Sequence, residues 1–236
     1  MSADGDSARE TMRRVVENLE GEYGPRLNER DGDPLGTLVE IILSQQNSWQ
    51  STKKVYAELR LRFPEWELAA AAPVAEIEEA IRAGGLAKMK AARIKAILAR
   101  IAEQHGSLDL GFLNDLPAAD ALGYLTSFPG VGPKTARCTL LFACDAEVFP
   151  MDGHIFRILG RLGLLAPRLP DERAHRAMEA IVPAGKHYSA HVNLIRHGRL
   201  VCRPSEPRCD RCCLIDYCPT GQARLLSPDD EDPRGK

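Results

Sequence analysis

The sequence contains no hydrophobic run long enough to cross a bilayer. A membrane-spanning helix needs about 20 consecutive apolar residues, and charged residues or prolines interrupt this chain well before that length. The first ten residues also lack the basic-then-apolar pattern of a secretory signal. From these absences we expect a cytoplasmic protein that has no contact with a membrane.

The chain also lacks an excess of basic charge and any period-two pattern. Alternation of polar and apolar residues does not extend over a useful length, which argues against a fold built on sheets. The net charge of −2 gives the chain no overall attraction for a polyanion. Only the face that meets phosphate has to be basic, however, so the overall charge does not exclude nucleic acid as a partner.

Apolar residues instead recur at three- and four-residue spacing, which is the pattern of amphipathic helices. We therefore predict an all-α fold of about ten short helices, with disordered tails at residues 1–7 and 222–236. Glycine, proline and aspartate punctuate the helical segments at short intervals. The segments are Thr11–Leu19, Leu35–Leu43, Thr52–Leu61, Val74–Ile81, Ala91–Ile101, Lys134–Phe142, Ile155–Leu164 and Arg173–Ile181.

Four of the seven cysteines lie close together near the C-terminus. An odd number of cysteines in a reducing compartment argues against a disulfide framework. Cys202, Cys209, Cys212 and Cys218 form the spacing Cys-x6-Cys-x2-Cys-x5-Cys in a Pro-rich loop with few apolar residues, so a bound metal would supply its folding energy. By spacing alone, a four-cysteine zinc site and a [4Fe–4S] cluster both remain open. Cys213 adjoins Cys212, and a local shift of the loop would exchange them.

The segment Phe128–Ala136 (FPGVGPKTA) predicts a tight turn between two helices. Gly130 and Gly132 flank Val131 in the turn, and both glycines permit backbone conformations that other residues resist and let another backbone approach closely. Pro133 suits the first position of a new helix. Such a turn presents bare N–H groups beside the positive end of a helix, which is a phosphate-binding arrangement. It would contact backbone and no base edges, so it would bind DNA of any sequence.

Two residues near helix starts could perform chemistry. Lys134 lies in the first turn of the helix that follows Pro133. A helix N-terminus disfavours a cation and so favours the neutral amine that attack on a sugar carbon requires. Asp152 precedes an apolar helical run, where aspartate is a good cap. A carboxylate held there could also stabilise positive charge and help deprotonate an amine.

Together these motifs resemble the endonuclease III type of DNA glycosylase/AP lyase, a helix–hairpin–helix superfamily with a [4Fe–4S] cluster. The resemblance covers about residues 35–219. It is carried by the hairpin, by the cysteine spacing, and by the segments Leu43–Asn47 (LSQQN), Met151–Arg157 (MDGHIFR) and Arg196–Arg199 (RHGR). It implies that the four cysteines hold a [4Fe–4S] cluster. It also implies that Lys134 attacks C1′ of the damaged nucleotide and forms a Schiff base, opposite Asp152.

The resemblance further implies which residues contact double-stranded DNA. A glycosylase must extrude its target nucleotide, and the family inserts side chains that correspond here to Gln46 and Leu86. The basic stretch Lys88–Arg100 follows directly and is expected to bind phosphate. The remaining expected contacts are Gly130, Val131, Gly132 and His154.

The resemblance also implies two intertwined helical domains. A six-helix domain would span residues 36–147 and contain the helix–hairpin–helix at about 119–143. Residues 8–35 and 148–221 would form the iron–sulfur cluster domain, with the active site in the cleft between the two domains.

Three residues depart from the family pattern. Trp49 replaces an aspartate at a helix start, Gly153 replaces a threonine after the catalytic aspartate, and Pro133 replaces a basic residue in the hairpin. We expect Trp49 to pack between helices, with stacking on a base as the alternative. The three departures favour weaker or altered activity.

The inferred function is excision of oxidised pyrimidines, followed by strand cleavage, from duplex DNA that contains damaged or abasic sites. The enzyme would be a monomer associated with the nucleoid. One alternative is a superfamily glycosylase for another lesion, either an oxidised purine or mismatched thymine. A second is a DNA-binding cluster protein with weak catalysis. The adenine-removing branch is disfavoured, because it does not normally keep a lysine at the Lys134 position.

Overall fold

A computed structural model describes residues 3–28, 32–166, 169 and 171–226. Throughout these residues the regular secondary structure is helical and contains no strand, which confirms the predicted fold class. None of the described helices combines the length and the apolar character that a membrane span requires. The α-helices are α1 (Ala3–Tyr23), α2 (Pro34–Ser44), α3 (Trp49–Arg62), α4 (Trp66–Ala71), α5 (Val74–Ala80), α6 (Ala87–His105), α7 (Ala118–Thr126), α8 (Pro133–Ala143), α9 (Gly153–Arg161), α10 (Asp171–Glu179), α11 (His187–Leu200) and α12 (Pro219–Leu226).

The chain forms two compact units. The first, which we call the cysteine unit, comprises Met1–Asn28 together with Glu147–Lys236. The second, which we call the hairpin unit, comprises Glu29–Ala146. The way in which the predicted domains intertwine stays a prediction.

The hairpin unit is organised around α2. This helix is apolar on nearly all sides, so other helices must surround it, and both α8 and α3 pack against it. It begins where the Asp33 carboxylate accepts a hydrogen bond from the N–H of Gly36 at 2.8 Å, with Pro34 in the first turn. These are strong helix-start signals. As a result the C-terminal end of α2, where the LSQQN segment begins, has a fixed position in this unit.

The cysteine unit has its own core, formed by the apolar faces of α1, α9 and α11. Met12, Leu19, Ile155, Leu159 and Leu194 are fully buried in it. The cysteine loop that follows α11 packs against the same core through Cys202, Cys212 and Cys218. The helix start that carries Asp152 and the cysteine loop therefore belong to one packed body.

The expected N- and C-terminal tails are partly helical. Helix α1 starts at Ala3, within the expected N-terminal tail. Helix α12 continues to Leu226, within the expected C-terminal tail. Along α1, Glu10 forms ion pairs with Arg13 at 2.6 Å and with Arg14 at 2.8 Å. Pairs at this spacing support a helix even where it has little to bury. The other expected tail residues, 1–2 and 227–236, lie outside the described residues.

Candidate active site and cysteine loop

Helices α7 and α8 and the turn between them form the predicted helix–hairpin–helix. The turn is anchored from inside by two buried apolar side chains, Phe128 and Val131. The N–H of Val131 donates to the carbonyl oxygen of Phe128 at 3.2 Å. Gly130 and Gly132 are exposed on the outer side. The outer surface of the turn is therefore bare backbone at the two glycines, beside the exposed ring of Pro129.

The two hairpin glycines serve different purposes. Gly130 has φ +74°, and a Cβ there would lie 2.5 Å from Nε of Arg93. Gly132 has an extended backbone (φ −88°, ψ 176°), and a Cβ there would meet no protein atom within 4 Å. Of the two expected uses of glycine, the unusual backbone conformation therefore applies to Gly130, and room for the approach of another backbone applies to Gly132. Its missing side chain leaves open space for the backbone of another molecule.

Lys134 is the second residue of α8, after Pro133 at the first position. The N-cap residue of this helix is Gly132, which has no side chain to cap it, so the first-turn N–H groups can face an anion. The Lys134 side chain is exposed, whereas every residue from Thr135 to Leu141 is buried. The structure thus places one exposed amine directly after a turn of bare backbone.

A hydrogen-bonded chain links the start of α8 to two other elements. Nη1 of Arg93 on α6 donates to Oε1 of Gln45 at 3.1 Å, and Nε2 of Gln45 donates to Oγ1 of Thr135 at 3.4 Å. Arg93 also lies against Gly130. Sequence reasoning missed Gln45 and Arg93 as site residues. Gln45 lies in the LSQQN segment, but the resemblance pointed only to its neighbour Gln46.

The two predicted insertion residues share an unusual backbone conformation. Gln46 has φ +54° and Leu86 has φ +52°, and both side chains are exposed. A left-handed conformation costs a residue with a side chain about 1–2 kcal/mol. Such strain tends to occur at functional sites, where the surroundings enforce it. In the described part of the chain only four non-glycine residues adopt it, and two of them are Gln46 and Leu86.

Three cations of the basic stretch Lys88–Arg100 contact backbone carbonyls of the protein itself, while Lys88 is exposed and phosphate binding by it stays a prediction. Lys90 is completely buried, and its ammonium donates to two backbone carbonyls. Lys95 donates to the carbonyls of Ala70 and Ala72, and Arg100 donates to that of Ser127 at 2.6 Å. Long basic side chains on a packed helix can reach the carbonyl oxygens at the ends of neighbouring elements. The periodicity of the charges does not reveal this use.

Trp49 does not pack between helices as we expected. It is the first residue of α3, and 62% of it is exposed. Nζ of Lys53, one turn later, lies 4.4 Å from the centre of the indole ring, which is a cation–π contact. Ser48 already caps α3 through its hydroxyl, so the aspartate that the resemblance led us to expect at position 49 is not needed as a cap here.

Asp152 caps α9, as predicted. Its Oδ1 accepts a hydrogen bond from the N–H of Ile155 at 2.8 Å, which holds the carboxylate rigidly while part of it stays exposed. The next residue, Gly153, is exposed, has no positive φ, and has no protein atom within 4 Å of a Cβ built there. A threonine would therefore fit at Gly153, and the glycine is not required by the fold.

His154 is engaged in packing within the cysteine unit. A Cβ on Gly198 of α11 would lie 2.8 Å from the Cβ of His154, so only glycine allows this contact. The Nδ1 atom of His154 lies 3.0 Å from Nη2 of Arg157. Arg157 in turn donates to the carbonyls of Gly198 and Cys202. The α9 start is thereby fixed to the cysteine loop, and phosphate binding by His154 stays a prediction.

The four predicted ligand cysteines line one cavity, and Cys213 does not line it. Arg161 lies at its edge, where Nη1 is 3.3 Å from Sγ of Cys202 and donates to the carbonyl of Arg203 at 2.7 Å. The N–H of Gly221 points at Sγ of Cys218 at 3.3 Å. Cationic and N–H donors directed at sulfur stabilise thiolates. This arrangement distinguishes Cys212 from Cys213, which the spacing did not.

The electrostatics of the cavity favour a cationic group among the thiols. Burial, with a smaller contribution from the charge of neighbouring cysteines, raises the pKa of Cys212 to about 12. Burial, followed by the charge of nearby cysteines, also raises the pKa of Cys209. Four thiolates therefore need a metal centre to offset their repulsion. Within the described residues, no three His, Cys, Asp or Glu side chains converge on one ion. A four-iron cluster does not require that, because it is held by four separate thiolates.

Comparison with known proteins decides the family. The family model described as "HhH-GPD superfamily base excision DNA repair protein" matches residues 39–184, which contain both helix starts. The chain belongs to the HhH-GPD superfamily. This match confirms the prediction that the chain is a helix–hairpin–helix DNA repair enzyme of the glycosylase type.

Individual HhH-GPD relatives agree with this assignment. The chain is 30% identical over 208 residues to endonuclease III of Thermotoga maritima, covering 86% of this chain and 92% of that protein. A solved non-covalent endonuclease III–DNA complex has a TM-score of 0.78 at 23% identity, covering 93% of this chain and 99% of the other. A thermostable thymine-DNA glycosylase has a TM-score of 0.77 at 18% identity, covering 94% and 100%. At these identities the two structures show a shared fold.

The open space beside Gly132 gives the first testable prediction. Gly132→Ala adds a methyl group that meets no protein atom, so the melting temperature should stay within about 2 °C of the wild type. The methyl would occupy the space in which a phosphodiester backbone approaches, so affinity for duplex DNA should fall about tenfold in a fluorescence anisotropy titration. Gly130→Ala is the matched variant, and it should lose stability because of its positive φ. Wild-type affinity in Gly132→Ala would contradict DNA contact at this turn.

Proposed function

We propose that this chain is a monomeric glycosylase and AP lyase that excises oxidised pyrimidines from duplex DNA containing damaged or abasic sites. The observation that carries the proposal is the exposed amine of Lys134 at an uncapped helix start, directly after a turn of bare backbone. Phosphate on the turn and the helix N-terminus would bring a sugar close to this amine. A surface lysine without a neighbouring phosphate-binding turn would not be positioned near C1′ of a nucleotide.

The Lys134 nitrogen would attack C1′ of the extruded nucleotide. A bond forms between Nζ and C1′ while the bond from C1′ to the base breaks, and the base leaves with the bonding electron pair. Opening of the sugar ring then yields a Schiff base. The Schiff base acidifies the adjacent C2′, and loss of a C2′ proton expels the 3′ phosphate and cuts the strand. This sequence needs no oxidant or reductant.

Asp152 would supply the negative charge for this reaction. Positive charge develops on the sugar as the base departs, and a fixed carboxylate stabilises it without having to reorganise. The same carboxylate can accept a proton from the attacking amine. The hydrogen bond from Ile155 holds the Asp152 side chain in place before the substrate binds. Capping and catalysis are thus compatible in one residue.

Extrusion of the nucleotide leaves a gap in the stack, which costs a few kcal/mol. Leu86 presents an apolar side chain that is 47% exposed, and Gln46 presents an exposed amide. We assign the filling of the gap to these two side chains. Their left-handed backbone keeps both residues at the tips of their loops.

Cys202, Cys209, Cys212 and Cys218 would hold a [4Fe–4S] cluster. The fit rests on the shared cavity, on the N–H and guanidinium donors directed at sulfur, and on the raised pKa values of the buried thiols. When bound, the cluster would neutralise the thiolates and contribute folding energy to the loop. Arg157 and Arg161 connect this loop to α9, so the cluster would also stabilise the helix that Asp152 caps.

The lesion preference is tested by release from a panel of duplexes. We expect the wild-type chain to release an oxidised pyrimidine with a larger kcat/KM than it releases an oxidised purine or a mismatched thymine. Chromatography of the free bases measures release separately from strand cleavage. Faster release of mismatched thymine or of an oxidised purine would replace the proposed substrate, and release of no base from any duplex would contradict the glycosylase proposal.

The two catalytic assignments can be separated by matched substitutions. Lys134→Gln should abolish cleavage at abasic sites in a gel assay, whereas Lys54→Gln, which changes an exposed lysine on α3, should leave cleavage unchanged. Asp152→Asn keeps an oxygen for the cap, so it should keep stability while base release falls about a hundredfold. Asp152→Ala should lose about 1 kcal/mol of stability in addition. Full base release by Asp152→Asn would exclude a charge-based role.

The cluster assignment is tested by two neighbouring substitutions. Cys212→Ser should remove most of the iron and acid-labile sulfide and lower the melting temperature. Cys213→Ser should leave both unchanged, because this residue does not line the cavity. Elemental analysis of the purified protein provides the readout. Zinc in place of iron, or equal metal loss in both variants, would overturn the assignment.

A further inference from the structure

We propose that Lys90 is a positioning residue whose buried ammonium joins the loop of Gln46 to the loop of Leu86, so that both tips act on DNA as one rigid unit. This inference rests on the proposed function, because it gives the two tips a task in filling the gap left by the nucleotide. Lys90 itself touches neither DNA nor the reacting atoms.

The contacts of Lys90 connect the two loops directly. Its Nζ donates to the carbonyl oxygen of Leu43 at 2.8 Å and to that of Gly84 at 2.9 Å. Leu43 lies three residues before Gln46, and Gly84 lies two residues before Leu86. The backbone N–H of Lys90 also donates to the carbonyl of Leu86 at 3.0 Å. One residue of α6 therefore holds three backbone positions in the two loops.

Burial of the Lys90 ammonium carries a desolvation penalty. The Lys90 side chain has no exposed surface, and desolvation lowers its pKa. A buried ammonium is tolerated only when its donors are satisfied. Because the Leu43 carbonyl belongs to the last turn of α2, it carries partial negative charge from the helix. The ammonium thus offsets charge at the helix end and reaches across to Gly84.

The two loops also touch each other beside Lys90. A Cβ on Gly84 would lie 3.6 Å from Nδ2 of Asn47 and 3.2 Å from a methyl carbon of Val55. The absence of a side chain at Gly84 therefore permits the close approach of the two segments. The side chain of Asn47 is itself fixed, because its Oδ1 accepts a hydrogen bond from the N–H of Ser48 at 3.0 Å.

Backbone strain at both tips fits a shared support. Gln46 and Leu86 each have a positive φ, and such conformations persist only where the surroundings over-determine them. The hydrogen bonds of Lys90 help to hold the backbone in both loops. Removal of its charge would leave two buried carbonyls without their donor. The tips would then relax towards conformations without strain and would no longer be held ready to enter DNA.

Lys95 offers a matched control on the same helix. Its Nζ also donates to two backbone carbonyls, those of Ala70 and Ala72, but these belong to the end of α4 and to neither loop. Lys95→Met therefore removes the same kind of interaction from the same unit. A general effect on stability should appear in both variants, whereas an effect on the loop tips should appear only in Lys90→Met.

The experiment follows insertion without requiring catalysis. Each variant is saturated with a duplex that carries 2-aminopurine opposite a stable abasic-site analogue, and the fluorescence reports unstacking by the inserted side chains. Insertion should be clear in the wild type and in Lys95→Met. In Lys90→Met the ratio of inserted to non-inserted complexes should fall about tenfold, as expected for lost hydrogen bonds from a charged group. Lys90→Arg, which keeps the charge, should recover part of the signal.

Two results would overturn the inference. One is a wild-type signal in Lys90→Met at saturating DNA, and the other is the same loss in Lys95→Met. Because base release is measured separately, a wild-type chain that inserts but releases no base would contradict the proposed function alone. If Lys90→Met does not fold, hydrogen exchange of the backbone amides in the wild-type chain tests the inference instead. The amides of residues 44–48 and 84–88 should then exchange with one common free energy of opening. Two different opening free energies would contradict the joint positioning of the two loops by Lys90.

Discussion

The candidate active site depends on a turn that is anchored by buried side chains and exposes glycine backbone. Burial of Phe128 and Val131 fixes the turn, so the chain between them exposes glycine and N–H groups where other turns expose side chains. Lys134 follows at once on an uncapped helix start, and its position is set by the same turn. Two cations of α6 extend this constraint. Arg93 contacts the turn and Gln45, and Lys90 holds the loops of Gln46 and Leu86.

Helices whose apolar residues repeat at helical spacing could be predicted from the sequence, whereas α11 could not. The spacing in Leu35–Leu43 and Lys134–Phe142 predicted α2 and α8 to within a few residues, because both bury aliphatic faces. Helix α11 was absent from the predicted segments. It buries polar residues along its length, so its hydropathy shows little periodicity, and tertiary contacts decide the structure instead. These residues are His187, Ser189, His191, Asn193 and His197.

The candidate site divides in the same way. The sequence identified the hairpin, the cap at Asp152 and the cysteine spacing, because each is a local signal with one physical cause. It did not identify the use of Lys90 and Arg93, since a run of basic residues on an amphipathic helix looks the same whether the charges face solvent or reach buried carbonyls. Both uses of the hairpin glycines were predicted, but only the structure shows that Gly130 has the positive φ and that Gly132 faces open space. The choice between Cys212 and Cys213 required a packed loop, because adjacent cysteines differ only in direction.

The central claim is that Lys134 forms the covalent bond to the sugar. It is tested most directly by borohydride reduction of the wild-type chain on duplex DNA with one abasic site, followed by proteolysis and mass spectrometry of the cross-linked peptide. The account predicts one sugar adduct, located on Nζ of Lys134. An adduct on another amine, or none at all although the DNA is bound, would contradict it.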